Sequence, residues 1–158
     1  MMKLQVFFLA ALLSVGALAQ NLLDERIRRL TPNKKSIFLE RGIFHNGGPK
    51  TATDLRAIRH NFSKNNGFER VVFDFTTDEI PRIYGYISMK EKKLYIDFFK
   101  TSVKPDLGSF GDSKFIKSVN FFPIQKDTLS VEVLFKDDVS IDVFYLKKPG
   151  RFVVDIKS

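Results

Sequence analysis

Cysteine is missing from all 158 residues, and histidine occurs only at His45 and His60. The first absence excludes disulfides, thiolate zinc sites, a cysteine nucleophile and a bacterial lipid anchor of the kind attached to cysteine. The two histidines stand in no metal-ligand spacing such as H-x-x-x-H. Neither a G-x-S-x-G elbow nor a Gly-rich phosphate loop occurs. The expectation is therefore no catalytic residue, no cofactor and no metal. Long apolar runs are also lacking. The main one, Val6 to Val15, is well short of the roughly 20 residues that a membrane span needs.

That run instead has the form of an export leader. Lys3 precedes it, and Ala17-Leu18-Ala19 follows as a small-x-small cleavage pattern. Residues 1–19 are expected to be a cleaved signal peptide, with the mature chain starting at Gln20 and no stable membrane span after cleavage. Small secreted eukaryotic domains usually carry disulfides, so cysteine-free export points to a bacterial periplasm. Formal charge is +8, of which the leader holds only Lys3. In a cytosolic protein such an excess would suggest nucleic acid. Outside the cell the acidic partners are cell-wall carboxylates, lipid phosphates and acidic proteins. Hydrophobic content of 44%, including 17 Phe, supplies enough core for a folded domain.

Residues 20–52 read as an N-terminal arm. Asn21 to Leu30 has Leu22, Leu23, Ile27 and Leu30 near helical spacing, and "SIFLERGIFH" reads as a short strand or loop before the turn at Asn46 to Gly48. From Thr53 the pattern becomes β. The alternation predicts strands at Leu55–Phe62, Phe68–Thr76, Arg82–Met89, Leu94–Lys100, Phe115–Phe122, Leu129–Phe135, Val139–Leu146 and Arg151–Lys157. Polar turn material separates them, and Pro149-Gly150 suits the centre of a type II turn, where Gly takes a positive φ. The predicted fold is an all-β antiparallel sandwich or barrel.

Three strands share a face code. Arg70 and Asp74, Lys93 and Asp97, and Arg151 and Asp155 each set a basic residue four positions before an acidic one, opposite the most apolar row. Such residues on neighbouring strands can form cross-strand ion pairs of about 0.2–1 kcal/mol, so these are read as structural rather than catalytic. The code belongs to a longer repeat. Leu55 to Arg59 matches Ile116 to Asn120, Arg70 to Phe75 matches Ser130 to Phe135, and Leu94 to Phe98 matches Phe152 to Ile156, at offsets of 61, 60 and 58. Residues 53–158 thus read as two copies of one four-strand unit, each too small to bury its own apolar face.

Ile58-Arg59, "ERVVFDF", "KLYIDFF", "FIKSV" and "VFYLKKPGRFVVDI", in this order and in two rounds, resemble the AMIN domain. That domain is the N-terminal targeting module of periplasmic N-acetylmuramoyl-L-alanine amidases and type IV pilus secretins. The resemblance covers residues 53–158. Leu129 to Phe135 departs from the pattern, with Ser130 and Leu134 where Arg and Asp are expected. The resemblance implies a sandwich of two small sheets, one per repeat, and noncovalent association with peptidoglycan or envelope machinery.

For ligand contact the informative strand is Arg82–Met89. Arg82, Tyr84 and Tyr86 share one row, and a row of tyrosines can stack on sugar faces. The competing expectation is that the arm covers this row or that it packs as core. Gly85 between the tyrosines marks a bulge or the close approach of another group. Lys92, Lys93, Lys147 and Lys148 come from equivalent turns of the two repeats. Clustered, they would form a charged landing site; separated, they are solvated turn lysines. The reading that follows is a noncatalytic wall-binding module. The alternatives are a protein-binding adaptor in envelope, pilus or secretion-pore assembly and, remotely, a small wall hydrolase.

Overall fold

The computed structural model describes residues 27–29, 36–49, 51–104, 107, 110–125 and 127–158; the expected signal peptide, residues 1–19, and Asn21 to Arg26 lie outside them. Among the described residues twelve strands run in chain order: β1 Ile27–Arg29, β2 Ile37–Leu39, β3 Gly42–His45, β4 Thr53–Ser63, β5 Phe68–Phe75, β6 Ile83–Ser88, β7 Lys93–Phe99, β8 Thr101–Val103, β9 Ile116–Ile124, β10 Thr128–Phe135, β11 Ser140–Leu146 and β12 Arg151–Lys157. They form two six-stranded sheets in the orders β1-β3-β6-β7-β10-β9 (sheet 1) and β2-β11-β12-β5-β4-β8 (sheet 2). The eight predicted strands are all present, and the architecture is the expected all-β sandwich.

The division of the repeats between sheets differs from one sheet per repeat. Each repeat gives its first two strands to one sheet and its last two to the other. Sheet 2 joins β4 and β5 of the first repeat to β11 and β12 of the second, and sheet 1 joins β6 and β7 to β9 and β10. A pseudo-twofold therefore exchanges the sheets. Its centres are the antiparallel pairs β5–β12 and β7–β10, where Asp155 faces Arg70 and Asp97 faces Ser130. Even the irregularities repeat. Arg56 is skipped between Leu55 and Ala57 in one sheet, and Lys117 between Ile116 and Ser118 in the other. Four-strand units with one apolar face must borrow a partner, and exchanging halves buries both faces in a single interior.

That interior is aromatic. Phe73, Phe98 and Phe152 meet with ring centroids 5.4 to 6.0 Å apart, and Phe75 and Phe44 extend the cluster. Its strands alternate as the sequence predicts, with Leu94, Ile96 and Phe98 buried between half-buried neighbours.

The arm is not helical where it is described. Ile27–Arg29 is a strand parallel to β3, while β2 edges sheet 2 beside β11 and β3 edges sheet 1 beside β6. The arm thus crosses from one sheet to the other and closes the sandwich margin, with Ile37, Leu39 and Phe44 buried. Gly85 is the seat for this closure, because a Cβ there would lie 2.1 Å from the Phe44 ring. Gly150 also answers to space rather than to a positive φ. The Lys148–Pro149 peptide is cis, and a Cβ at Gly150 would lie 2.5 Å from the Glu79 carbonyl oxygen.

Gly85→Ala should therefore destabilise the protein by about 1–3 kcal/mol through overpacking. Urea unfolding checks this, with Phe44→Leu as the second mutation. The double variant is expected to lose clearly less than the sum of the single losses, because the smaller side chain vacates the clash.

Candidate binding face

The two outer faces occupy equivalent positions in the pseudo-twofold yet carry different chemistry. On sheet 2 the face is ionic. Arg70 grips Asp155 through Nε and Nη2, both at 2.7 Å, as the strand code predicts. Arg151 faces Asp74 in register but does not pair with it. Arg59 takes both Asp74 oxygens instead, at 2.6 and 2.8 Å, and Arg151 turns toward the Pro149 carbonyl. The side chains of Asp74 and Asp155 are only 5% and 11% exposed, so these forks satisfy nearly buried carboxylates. The same hydrogen bonds hold Arg59 and Arg70 above the usual guanidinium range.

On sheet 1 the ladder is gone. Asn120, Ser130 and Leu134 stand where sheet 2 has Arg59, Arg70 and Asp74. With Leu134 directly opposite it, Lys93 reaches the diagonal carboxylate of Glu132 on the same partner strand at 3.0 Å. That contact raises the lysine above its ordinary range. Asp97 accepts a hydrogen bond from Ser130. Among the described residues, the basic and acidic members of the strand code meet each other only as Arg70–Asp155.

Freed of the ladder, the sheet 1 face is aromatic. Register places Tyr84, Asp97, Ser130 and Phe122 in one row across it, and Tyr86, Tyr95, Glu132 and Asn120 in the next. Tyr84 is 40% exposed and Tyr86 36%, so neither is core, and β3 pairs beside them without covering them. Tyr86 stacks on Tyr95 at 6.2 Å and 17°. The Tyr95 hydroxyl donates to Glu91 at 2.9 Å, and partial burial followed by that carboxylate holds the phenol above its ordinary range. Arg82 lies at one end with its guanidinium 5.5 Å from the Phe99 ring, and Phe122 and Ile124 are exposed on the far strand.

Arg82, Tyr84 and Tyr86 are thus brought together as the alternation predicts. Tyr95, Phe99, Phe122 and Ile124 join them only through strand register, which the sequence alone left open. The turn lysines are not brought together. Phe98, near the end of β7, contacts Phe152, near the start of β12, so Lys92 and Lys93 lie at the opposite end of the sandwich from Lys147 and Lys148. Lys147 is paired with Glu79 at 2.9 Å.

A buried carboxylate lies at the margin between β4 and β9. Glu69 shares the inward row of Val71, Phe73 and Phe75 and is fully buried. His60 Nδ1 lies 2.9 Å from one of its oxygens; the Ser113 hydroxyl and the Phe115 amide donate to the other at 2.8 and 2.9 Å. Glu69 stands between histidine and serine, so the serine hydroxyl is directed at a carboxylate rather than at an imidazole nitrogen. The cluster is a clamp that fastens the segment before β9 to β5. Among the described residues no group of three or more His, Asp or Glu side chains is arranged to hold a metal ion, and no helix is long and apolar enough to cross a membrane.

Removing the Arg70 guanidinium strands a nearly buried carboxylate. Arg70→Met should cost about 1–2 kcal/mol, below the loss for a fully buried pair because Arg70 is 44% exposed and partly screened. Adding Asp155→Asn is expected to recover part of this in a double-mutant cycle by chemical denaturation; strictly additive losses would mean that the pair is not coupled.

Comparisons with protein-family models, curated proteins and solved structures find no match to this chain.

Proposed function

We propose that the chain is a noncatalytic binding module of the bacterial cell envelope, and that the outer face of sheet 1 takes the glycan strands of peptidoglycan. The observation that carries this reading is the pair of exposed tyrosines, Tyr84 and Tyr86, with half-buried Tyr95 stacked on Tyr86, on a sheet whose equivalent on the other side is ionic. Tyrosine offers a flat apolar ring and a hydroxyl, the combination that packs on a sugar face and bonds its rim. Arg82 at one end and the Lys93–Glu132 pair at the other supply fixed polar contacts for hydroxyl, amide or carboxylate groups. The leader pattern and the resemblance to AMIN domains support a periplasmic location and the wall as ligand.

A second reading is favoured by β9, a nine-residue edge strand with Phe122 and Ile124 exposed and no neighbour on its outer side among the described residues. A protein partner in envelope assembly could add a strand there.

Co-sedimentation with purified peptidoglycan sacculi at low and high salt tests the proposal. The wild-type protein is expected to pellet with sacculi, and Tyr84→Ala/Tyr86→Ala to bind about tenfold or more weakly while folding normally. Full retention by the double variant would remove this face from consideration. Absence of sacculus binding would favour the adaptor, and release of soluble muropeptides by the protein alone would establish a hydrolase.

A further inference from the structure

The ionic face of sheet 2 has a feature that the ion pairs themselves do not require. Arg59, Asn61, Ser63, Phe68, Arg70 and Val72 line an open hollow of about 520 Å³ on β4 and β5. Its two guanidiniums are held alike. Each gives Nε and Nη2 to a nearly buried aspartate beneath it, which leaves its remaining N–H groups for other partners. Arg59 is 61% exposed and Arg70 44%. In register Arg59 faces Val72 and Asn61 faces Arg70, so the arginines are diagonal neighbours with Cα atoms roughly 7–8 Å apart. Phe68 and Phe144 lie 5.2 and 5.3 Å from the Arg70 guanidinium and limit its movement.

Sheet integrity does not depend on this arrangement. At the equivalent places of sheet 1, Asn120, Ser130 and Leu134 hold the same strand order and the same register break with no arginine. The surroundings are cationic in balance. Arg59, Arg70, Arg151 and Lys157 share this face with Asp74, Asp155 and Asp142, and Arg151 has no carboxylate partner among the described residues. Guanidiniums immobilised before a ligand arrives lose little freedom on binding, and their planar forks match groups with two adjacent oxygens.

We propose that this hollow is an anion-binding cradle, separate from the aromatic face, in which Arg59 and Arg70 hold a carboxylate or phosphate group and the Asn61 amide adds a hydrogen bond. The anchored aspartates serve as positioning residues that fix the guanidiniums.

Titration of the purified protein at low ionic strength, followed through backbone amide and arginine Nε–H resonances, tests this with inorganic phosphate and with acetate as probes. Arg59, Asn61 and Arg70 signals are expected to shift along one saturating isotherm for at least one probe. Asn61→Asp places a carboxylate beside Arg70 on an exposed position and should weaken binding about tenfold or more with an unchanged melting temperature. Arg59→Gln with Asp74→Asn removes both charges of one pair and should weaken binding similarly. Vesicles of phosphatidylglycerol and phosphatidylcholine separate the sources. Retention on them that is lost in Asn61→Asp assigns the anion to a lipid headgroup, whereas saturation by free phosphate without vesicle retention assigns it to a soluble ligand. No shift at these residues with either probe, or unchanged affinity in folded Asn61→Asp, would overturn the cradle.

Discussion

The structure depends on the pairing of β5 with β12 and of β7 with β10. Each pair joins one repeat to the other, so neither sheet exists until both repeats contribute to it. Antiparallel register is strict here because a one-residue slip would turn the inward phenylalanines to solvent. The contacts are long-range in sequence; Arg70 and Asp155 are 85 positions apart. Such a topology closes large loops before it gains burial, and its stability is shared across the whole sandwich. The arm belongs to the same unit, since Phe44 enters the interior through the space that Gly85 leaves.

Interlocking also explains how the two faces could diverge. Inward rows are fixed by the shared core, whereas outward rows answer only to solvent and ligand. Sheet 2 keeps forked arginines over buried aspartates; sheet 1 places Asn120, Ser130 and Leu134 at those positions and exposes tyrosines. The frame is common, and the chemistry it presents is not. Under the two proposals above, one small domain contacts an envelope polymer through one side and an anionic group through the other.

Much of this was legible in the sequence because strand alternation and the repeat are local patterns. The eight long strands fall within a residue or two of their predicted bounds, and the exposure of Tyr84 and Tyr86 follows from the burial of Ile83 and Ile87. What escaped is what sequence distance conceals. The exchange of half-repeats requires knowing which strands pair. Arg59 taking Asp74 in place of Arg151 depends on side-chain reach across a register. Glu69 shares the parity of Val71 and Phe73 and so belonged to the interior by its position, but its partners His60, Ser113 and Phe115 come from separate segments. The spacing of Leu22, Leu23, Ile27 and Leu30 suggested a short helix over Asn21 to Leu30, whereas Ile27–Arg29, the described part of that stretch, pairs as a strand with β3.

The most direct test of the interlocked frame is native-state hydrogen exchange followed amide by amide. If each sheet is built from both repeats, amides of β5, β7, β10 and β12 should be the most protected and should share one opening free energy, equal to that of global unfolding. Separate opening free energies for β4 to β7 and for β9 to β12 would mean that the repeats fold as independent units, and would contradict the account.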